Sequence, residues 1–414
     1  MKAILIIADG LGGRPSDIDG RTCLEAAKTP HLDALAARGA LGLLDPIGPG
    51  VRPGSDTAHL SLLGYDPYAV YTGRGVFECL GVGLNVREGD ICFRANFATV
   101  LDTDQGLCLA DRRAGRLDSG QEELEEALNA IQLTETPGVQ AIFRASTQHR
   151  GALILRGERL SRHVSETDAH RVDALVLDAC PSDSDPSSAR TATVVNEFTR
   201  RSYQALQSLP INHRRLADGK PPANIVLLRG ASTCPHLESI ESMYGVRGAV
   251  VAGGALYRGV ALACGMSTID VPGATGGLDT DLGAKAQATL ETLGLNDYVF
   301  LHVKGTDNAG HDQNAEAKVA FIERIDAELI APLAETLDWA STHMAVTGDH
   351  TTPIDYGDHT AEPVPILYVG PNVAQDETGS FGEREAGRGG LGRFSGRVLP
   401  VLLGYNNWAP KFGS

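Results

Sequence analysis

Apolar residues fall in two rhythms along the chain. Unbroken apolar runs occur at AILIIA (3–8), NIVLLRG (224–230), GAVVAGG (248–254), YVFLHVK (298–304), HMAVTG (343–348) and VPILYVG (364–370). Continuous rather than alternating apolarity is what a strand covered on both faces requires, so these runs predict buried parallel strands. Between them, GAKAQATLETL (283–293) and EAKVAFIERIDAELIAPLAETL (316–337) repeat apolar residues at three- and four-residue spacing, which predicts helices. Strands alternating with helices predict an α/β doubly wound sheet.

The stretch 85–232 has a different pattern. ICFRANFATV (91–100) alternates, with Ile91, Phe93, Ala95 and Phe97 on one face and Arg94 and Asn96 on the other, which predicts a half-exposed antiparallel strand. QEELEEALNAIQ (121–132) predicts an acidic amphipathic helix and PSDSDPSSAR (181–190) a polar loop. The chain therefore divides into an α/β domain of residues 1–84 and 233–414 and an inserted α+β domain of residues 85–232.

Composition narrows the function. With 36 Lys and Arg against 52 Asp and Glu, the net charge is −16, which argues against nucleic acid as a partner. An anionic substrate must meet a local basic pocket. Seven widely spaced cysteines without a C-x-x-C argue against a disulfide framework or zinc knuckle. The start MKAILIIADG lacks the features of a secretory signal, and no run has the length of a membrane helix, so no membrane partner and a cytoplasmic location are expected. The oligomeric state is left open.

Ligands of open α/β sheets gather beyond the carboxyl ends of the strands. Asp9 follows the first strand, and GTDNAGHD follows YVFLHVK, placing Asp307 and His311 on one face if that segment is helical. Asp349 and His350 follow HMAVTG, and His359 closes a second Gly-Asp-His triplet at 357–359. Singly, each is explained by a turn, a cap or the surface. Three Asp and three His at one edge point instead to a metal centre, and six such side chains exceed what one catalytic ion takes. Because Asp349 and His350 are adjacent, their side chains are expected to diverge toward different ions. In GPGVRPGSDTAHLSLLGYDP (48–67), Ser55 is either a helix N-cap or a nucleophile at an anion-binding helix N-terminus. Spacing alone leaves both open.

The ordered set ADG, PGSDTAHLSLLGYDP, YTGRGVFECLGVG, FRANFATV, DRRAGR, HVKGTDNAGHD and VTGDHTTP with GDHTAEPVPIL resembles the archaeal-type 2,3-bisphosphoglycerate-independent phosphoglycerate mutases of the alkaline phosphatase superfamily. YRGVALACGM, VPGATGGLDTD and GGLGRFSG extend the likeness almost end to end. The resemblance implies an alkaline-phosphatase-like doubly wound sheet with an inserted α+β domain and two divalent metal ions, manganese or zinc, with magnesium also admitted. One ion would be held by Asp9, Ser55, Asp349 and His350, the other by Asp307, His311 and His359. The two triplets then play unequal parts, and Asp358 is a turn residue or a support to a ligand. A small phosphorylated three-carbon acid would be the substrate, gripped by Arg94, Asn96, Arg112, Arg113, Arg116, Arg258 and Lys304. Asp168 and His170 are the acid–base candidates. SETDAH (165–170) departs from the family's S-D-T-D-P-H at Glu166 and Ala169, and RGAS (229–232) departs from R-G-A-G.

The activity implied is cofactor-independent interconversion of 3-phosphoglycerate and 2-phosphoglycerate through a phosphoserine on Ser55. The departures in SETDAH keep a second possibility, a metal-dependent phosphatase or a specialised phosphoryl or phosphonyl transferase on the same scaffold. A substrate panel comparing isomer with phosphate release separates them. A non-enzymatic protein with structural metals is a third, disfavoured because structural sites are usually closed and thiolate-rich.

Overall fold

The computed structural model describes residues 1–413. In chain order its strands are β1 (Lys2–Ala8), β2 (Ala40–Asp45), β3 (Ile91–Thr103), β4 (Gly106–Asp111), β5 (Gln140–Ala145), β6 (Arg150–Arg156), β7 (Ile225–Ser232), β8 (Gly248–Val251), β9 (Ser267–Ile269), β10 (Tyr298–Val303), β11 (Thr342–Thr347), β12 (Val364–Val369) and β13 (Gly392–Ser395). The chain forms two compact units, residues 1–71 with 237 onward, and residues 72–236.

In the first unit the sheet order is β13-β2-β12-β11-β1-β10-β8-β9. β1 lies between β10 and β11 and runs parallel to both, with Ala8 opposite Val303 and Ile7 opposite Thr347. Ala3 to Ala8 are all buried, as a central strand covered on two faces demands. Ile4, Ile6, Val299, Leu301, Met344 and Val346 pack against Leu282, Ala286, Phe321 and Ile322 from the helices. Because the three neighbouring strands run the same way, their carboxyl ends share one edge.

Two sequence expectations change here. β12 pairs antiparallel with both β11 and β2, not parallel. A parallel return needs a crossover, usually a helix, and the chain between β11 and β12 forms a loop with no helix. The helix expected over 316–337 is a run of Ala315–Arg324, a π turn at Ile325–Ile330 and Ala331–Thr336. Pro332 has no N–H for the carbonyl of Glu328, and the run widens just before it.

The second unit holds a sheet ordered β4-β3-β6-β5, with β7 also paired to β3, and every pairing is antiparallel. NIVLLRG thus forms an antiparallel strand here. Its apolarity reports coverage on both faces, by Val194, Val195 and Phe198 of the Pro186–Leu206 helix on one side and by Ala169 and Val176 on the other. β3 is likewise not half-exposed: Ile91 to Val100 are buried apart from the half-buried Arg94. The acidic helix spans Gln121–Asn129. The segment 181–190 is a loop only to Asp185, whose carboxylate caps the Pro186–Leu206 helix. The units part at Tyr71/Thr72 and His236/Leu237 rather than at 84/85 and 232/233, since the Gly75–Gly81 helix packs on β3, β6 and β7. No helix among the described residues is long and apolar enough to cross a membrane.

Candidate metal centre and basic cluster

The edge shared by β1, β10 and β11 carries two groups of ligand-type side chains. Asp9, Asp349 and His350 each offer an atom within 4.8 Å of the others, and so do Asp307, His311 and His359. The Gly305–His311 helix after β10 sets Asp307 and His311 one turn apart, with His311 Nε2 3.3 Å from Asp307 Oδ1. His359 Nε2 lies 3.6 Å from the same oxygen. Both imidazoles face carbonyl oxygens with Nδ1, His311 at Gly357 (2.9 Å) and His359 at Pro53 (2.8 Å). A carbonyl only accepts, so Nδ1–H donates and Nε2 is turned to the carboxylate.

Asp349 and His350 do not diverge. His350 Nε2 lies 3.4 Å from both Asp9 Oδ1 and Asp349 Oδ2. Gly348 explains this: a Cβ there would sit 3.0 Å from Leu11 Cβ and 3.2 Å from Ala8 O, so its absence lets the loop fold back onto the end of β1. Asp358 pairs with Arg52 and accepts the His359 amide at 2.8 Å. Ser55 opens the helix Ser55–Leu62, where Gly54 is the N-cap and no side chain caps. Its Oγ is buried and lies 3.3 Å from His350 Nε2. Capping therefore does not account for this serine.

The charge balance of the edge is lopsided. Asp9, Asp307 and Asp349 are all at most 1% exposed. Burial pushes the Asp349 carboxyl well up, the Asp9 charge adds to this, and Asp349 Oδ2 has no hydrogen-bond partner among the described residues. Burial would also raise Asp9, but Lys304, His302 and His350 outweigh it and hold that carboxyl well below the usual range. Lys304, expected among the substrate ligands, bridges the two groups: its Nζ is 2.6 Å from Asp307 Oδ2 and 3.4 Å from Asp9 Oδ2. One ammonium against three buried carboxylates, an orphaned oxygen and imidazole nitrogens aimed inward make a donor set that fits divalent cations.

Sequence reasoning missed the residues that hold these candidate ligands. Tyr257 donates its hydroxyl to Asp9 Oδ2, and His302 Nε2 reaches the same oxygen at 3.1 Å. Their rings stack with centroids 3.4 Å apart. His59 Nδ1 lies 2.6 Å from Ser55 O, and burial holds its imidazole down to about 4, so it is neutral. The available signal was His302 inside an apolar strand run, because a buried imidazole needs a partner.

The other expected residues lie in the second unit, except Arg258, which pairs with Asp270 at 2.7 Å in the first. Arg112 grips Asp168 with two bonds of 2.9 and 2.6 Å and lies 3.2 Å from His170 Nδ1. His170 Nε2 is 2.6 Å from Glu166 Oε2, so the residue that departs from the family pattern has a partner. Arg229, also missed, lies 3.7 Å from Asp168 and 3.2 Å from Asn96 when the amide oxygen faces it. Burial, together with Arg74, Arg229 and Arg150, holds Arg94 down to about 9, although Glu78 opposes this from 3.8 Å. Arg113 and Arg116 are exposed. The result is an arginine-rich cluster with Asp168 at its centre, the local basic surface an acidic protein needs for an anion.

Burial alone would raise Asp168, but Arg112 and the His170 amide outweigh it and hold it below the usual carboxylate range. Its folded pKa thus lies below the unfolded one. The pair's contribution is present above about pH 4 and is lost as pH falls through the folded value. Asp168→Asn is expected to cost about 2 kcal/mol at pH 7. Urea unfolding followed against pH should show that deficit shrinking in acid.

The sequence model of the 2,3-bisphosphoglycerate-independent phosphoglycerate mutase family matches residues 36–212. Proteins of that name from Methanopyrus kandleri and Ignicoccus hospitalis are 46% and 47% identical to this chain, covering 100% of it and 98% and 99% of the relatives. A solved structure from Pyrococcus horikoshii is similar with a TM-score of 0.85 at 38% identity, covering 100% of this chain and 99% of that one. The cofactor-independent phosphoglycerate mutase of Thermoplasma acidophilum gives 0.67 at 33% identity, covering 98% and 99%. Likeness of this degree, sustained from one end to the other, places the chain in the 2,3-bisphosphoglycerate-independent phosphoglycerate mutase family.

Proposed function

We propose that the protein interconverts 3-phosphoglycerate and 2-phosphoglycerate by passing the phosphoryl group through Ser55, without bisphosphoglycerate. The observation that carries this is Ser55 Oγ, buried at a helix N-terminus and 3.3 Å from His350 within the Asp9, Asp349 and His350 group. Asp9, Ser55, Asp349 and His350 would hold one divalent ion, and Asp307, His311 and His359 the other. Bound there, manganese or zinc would polarise the phosphoryl oxygens and lower the pKa of the serine hydroxyl.

Each remaining step belongs to the chain itself. Ser55 Oγ gives up its proton and attacks phosphorus, the ester bond to the substrate oxygen breaks, and that oxygen takes up one proton as phosphoserine forms, so the step is balanced overall. The first backbone N–H groups of the Ser55–Leu62 helix favour the anion. Lys304 offers a further positive charge between the two groups. Within the second unit, Arg94, Arg112 and Arg229, with Asn96, Arg113 and Arg116, offer the guanidinium forks that suit a carboxylate, and Arg258 is the further arginine candidate of the first unit. The other glycerate hydroxyl then attacks phosphorus, releasing Ser55. Its proton balances the one that Ser55 takes back; Asp168, held by Arg112 on both oxygens, and His170, facing Arg112 with Nδ1 and Glu166 with Nε2, are the acid–base candidates of the second unit.

The phosphatase alternative predicts a different product. Metal-stripped protein given manganese and 3-phosphoglycerate, with no bisphosphoglycerate, should form 2-phosphoglycerate without stoichiometric phosphate. Release of free phosphate alone would contradict the proposal. Supplying manganese and zinc in turn identifies the ion that supports turnover.

A further inference from the structure

We infer that Thr352 is a positioning residue shared by both metal groups, its hydroxyl joining one ligand of each through a single hydrogen-bond chain. The inference rests on the two-ion reading above. Thr352 Oγ1 lies 3.0 Å from His350 Nδ1 and 3.1 Å from Asp307 Oδ1. His350 belongs to the group with Asp9 and Asp349, and Asp307 to the group with His311 and His359.

The directions of these two bonds follow from counting protons. A carboxylate only accepts, so the one hydroxyl proton of Thr352 goes to Asp307 Oδ1. Oγ1 then accepts from His350, which must carry its proton on Nδ1. His350 Nε2 is therefore left bare, and it is Nε2 that faces Ser55 Oγ at 3.3 Å and Asp9 Oδ1 and Asp349 Oδ2 at 3.4 Å each. His311 and His359 have their Nδ1 atoms fixed by backbone carbonyls. His350 gets the same service from a side chain, which ties its orientation to the other group.

Four further observations make the placement rigid. Thr352 is fully buried. A Cβ on Gly10 would lie 2.7 Å from Thr352 Oγ1, and one on Gly310 would lie 2.7 Å from Thr352 O, so the threonine fills space that two glycines leave. Lys318 is also fully buried, and its Nζ donates to Thr352 O and to Gly12 O, both at 2.9 Å. The Thr352 amide donates to Gly12 O at 3.2 Å. The loops that follow β1 and β11 are thus pinned together beneath the ligands, with the threonine hydroxyl at the junction.

Thr352→Val keeps the shape and removes the hydroxyl, leaving His350 Nδ1–H and Asp307 Oδ1 without their partner. Supporting groups of this kind typically change metal affinity 10–100-fold. Manganese titration of the metal-stripped full chain by calorimetry should show both affinities reduced in Thr352→Val by about that factor. Thr352→Ser should restore both. A valine variant that binds like the wild type, or that weakens only one group, would overturn the inference, as would a serine variant as weak as valine. Wild-type protein that binds fewer than two manganese ions would instead count against the two-ion reading. Long-range nitrogen–proton NMR of the metal-free wild type tests the chain without any variant. His350 protonated on Nδ1 is expected, and protonation on Nε2 alone would contradict it.

Discussion

Ser55→Ala is expected to lower kcat by about four orders of magnitude or more, with residual conversion close to background. The size follows from the role: the other hydroxyls that touch the side chains of the Asp9, Asp349 and His350 group, those of Tyr257 and Thr352, are committed to Asp9 and Asp307. The fold should survive, because the serine does not cap its helix and, among the described residues, its Oγ makes a single polar contact, with His350. Enolase-coupled turnover measured beside thermal unfolding separates the two effects. Loss of turnover with an unchanged melting temperature is the expected pair of results. Wild-type turnover in the alanine variant would remove Ser55 from the chemistry.

Stripping divalent metal should abolish turnover and also lower stability. Asp9, Asp307 and Asp349 are buried together, and Lys304 is the ammonium set between the two groups. An uncompensated buried carboxylate is costly, so a cation that binds the folded chain and not the unfolded one shifts the equilibrium by mass action. At a free manganese concentration a thousandfold above its Kd, the gain is about 4 kcal/mol per site. Exhaustive chelation should therefore lower the melting temperature, and manganese should restore both it and turnover. A chelated protein that melts as before would show that the carboxylates are satisfied without metal.

Much of this was legible from residue order alone, for identifiable reasons. The runs at β1, β10 and β11 are apolar because parallel strands are covered on both faces, and the candidate ligands Asp9, Asp307 and Asp349 follow shortly after their ends. Strand direction was less legible. β7 and β12 read as parallel strands, yet both pair antiparallel, because burial on two faces sets composition while the connection sets direction. Adjacency of Asp349 and His350 misled for a related reason. Side-chain divergence holds for an extended chain, and Gly348 permits a fold-back onto β1 that no periodicity records. Tyr257, His302 and Thr352 were invisible since each acts through a ligand from a distant part of the chain. Arg229 was missed because its role depends on β7 pairing with β3, which sets it beside Arg94.

The central claim is that two ions, one in each three-residue group, confront Ser55 with the phosphoryl group. Anomalous diffraction from crystals of the full chain loaded with manganese tests it most directly. The account predicts two peaks, one enclosed by Asp9, Asp349, His350 and the Ser55 oxygen, the other by Asp307, His311 and His359. A single peak, or density remote from Ser55, would contradict it.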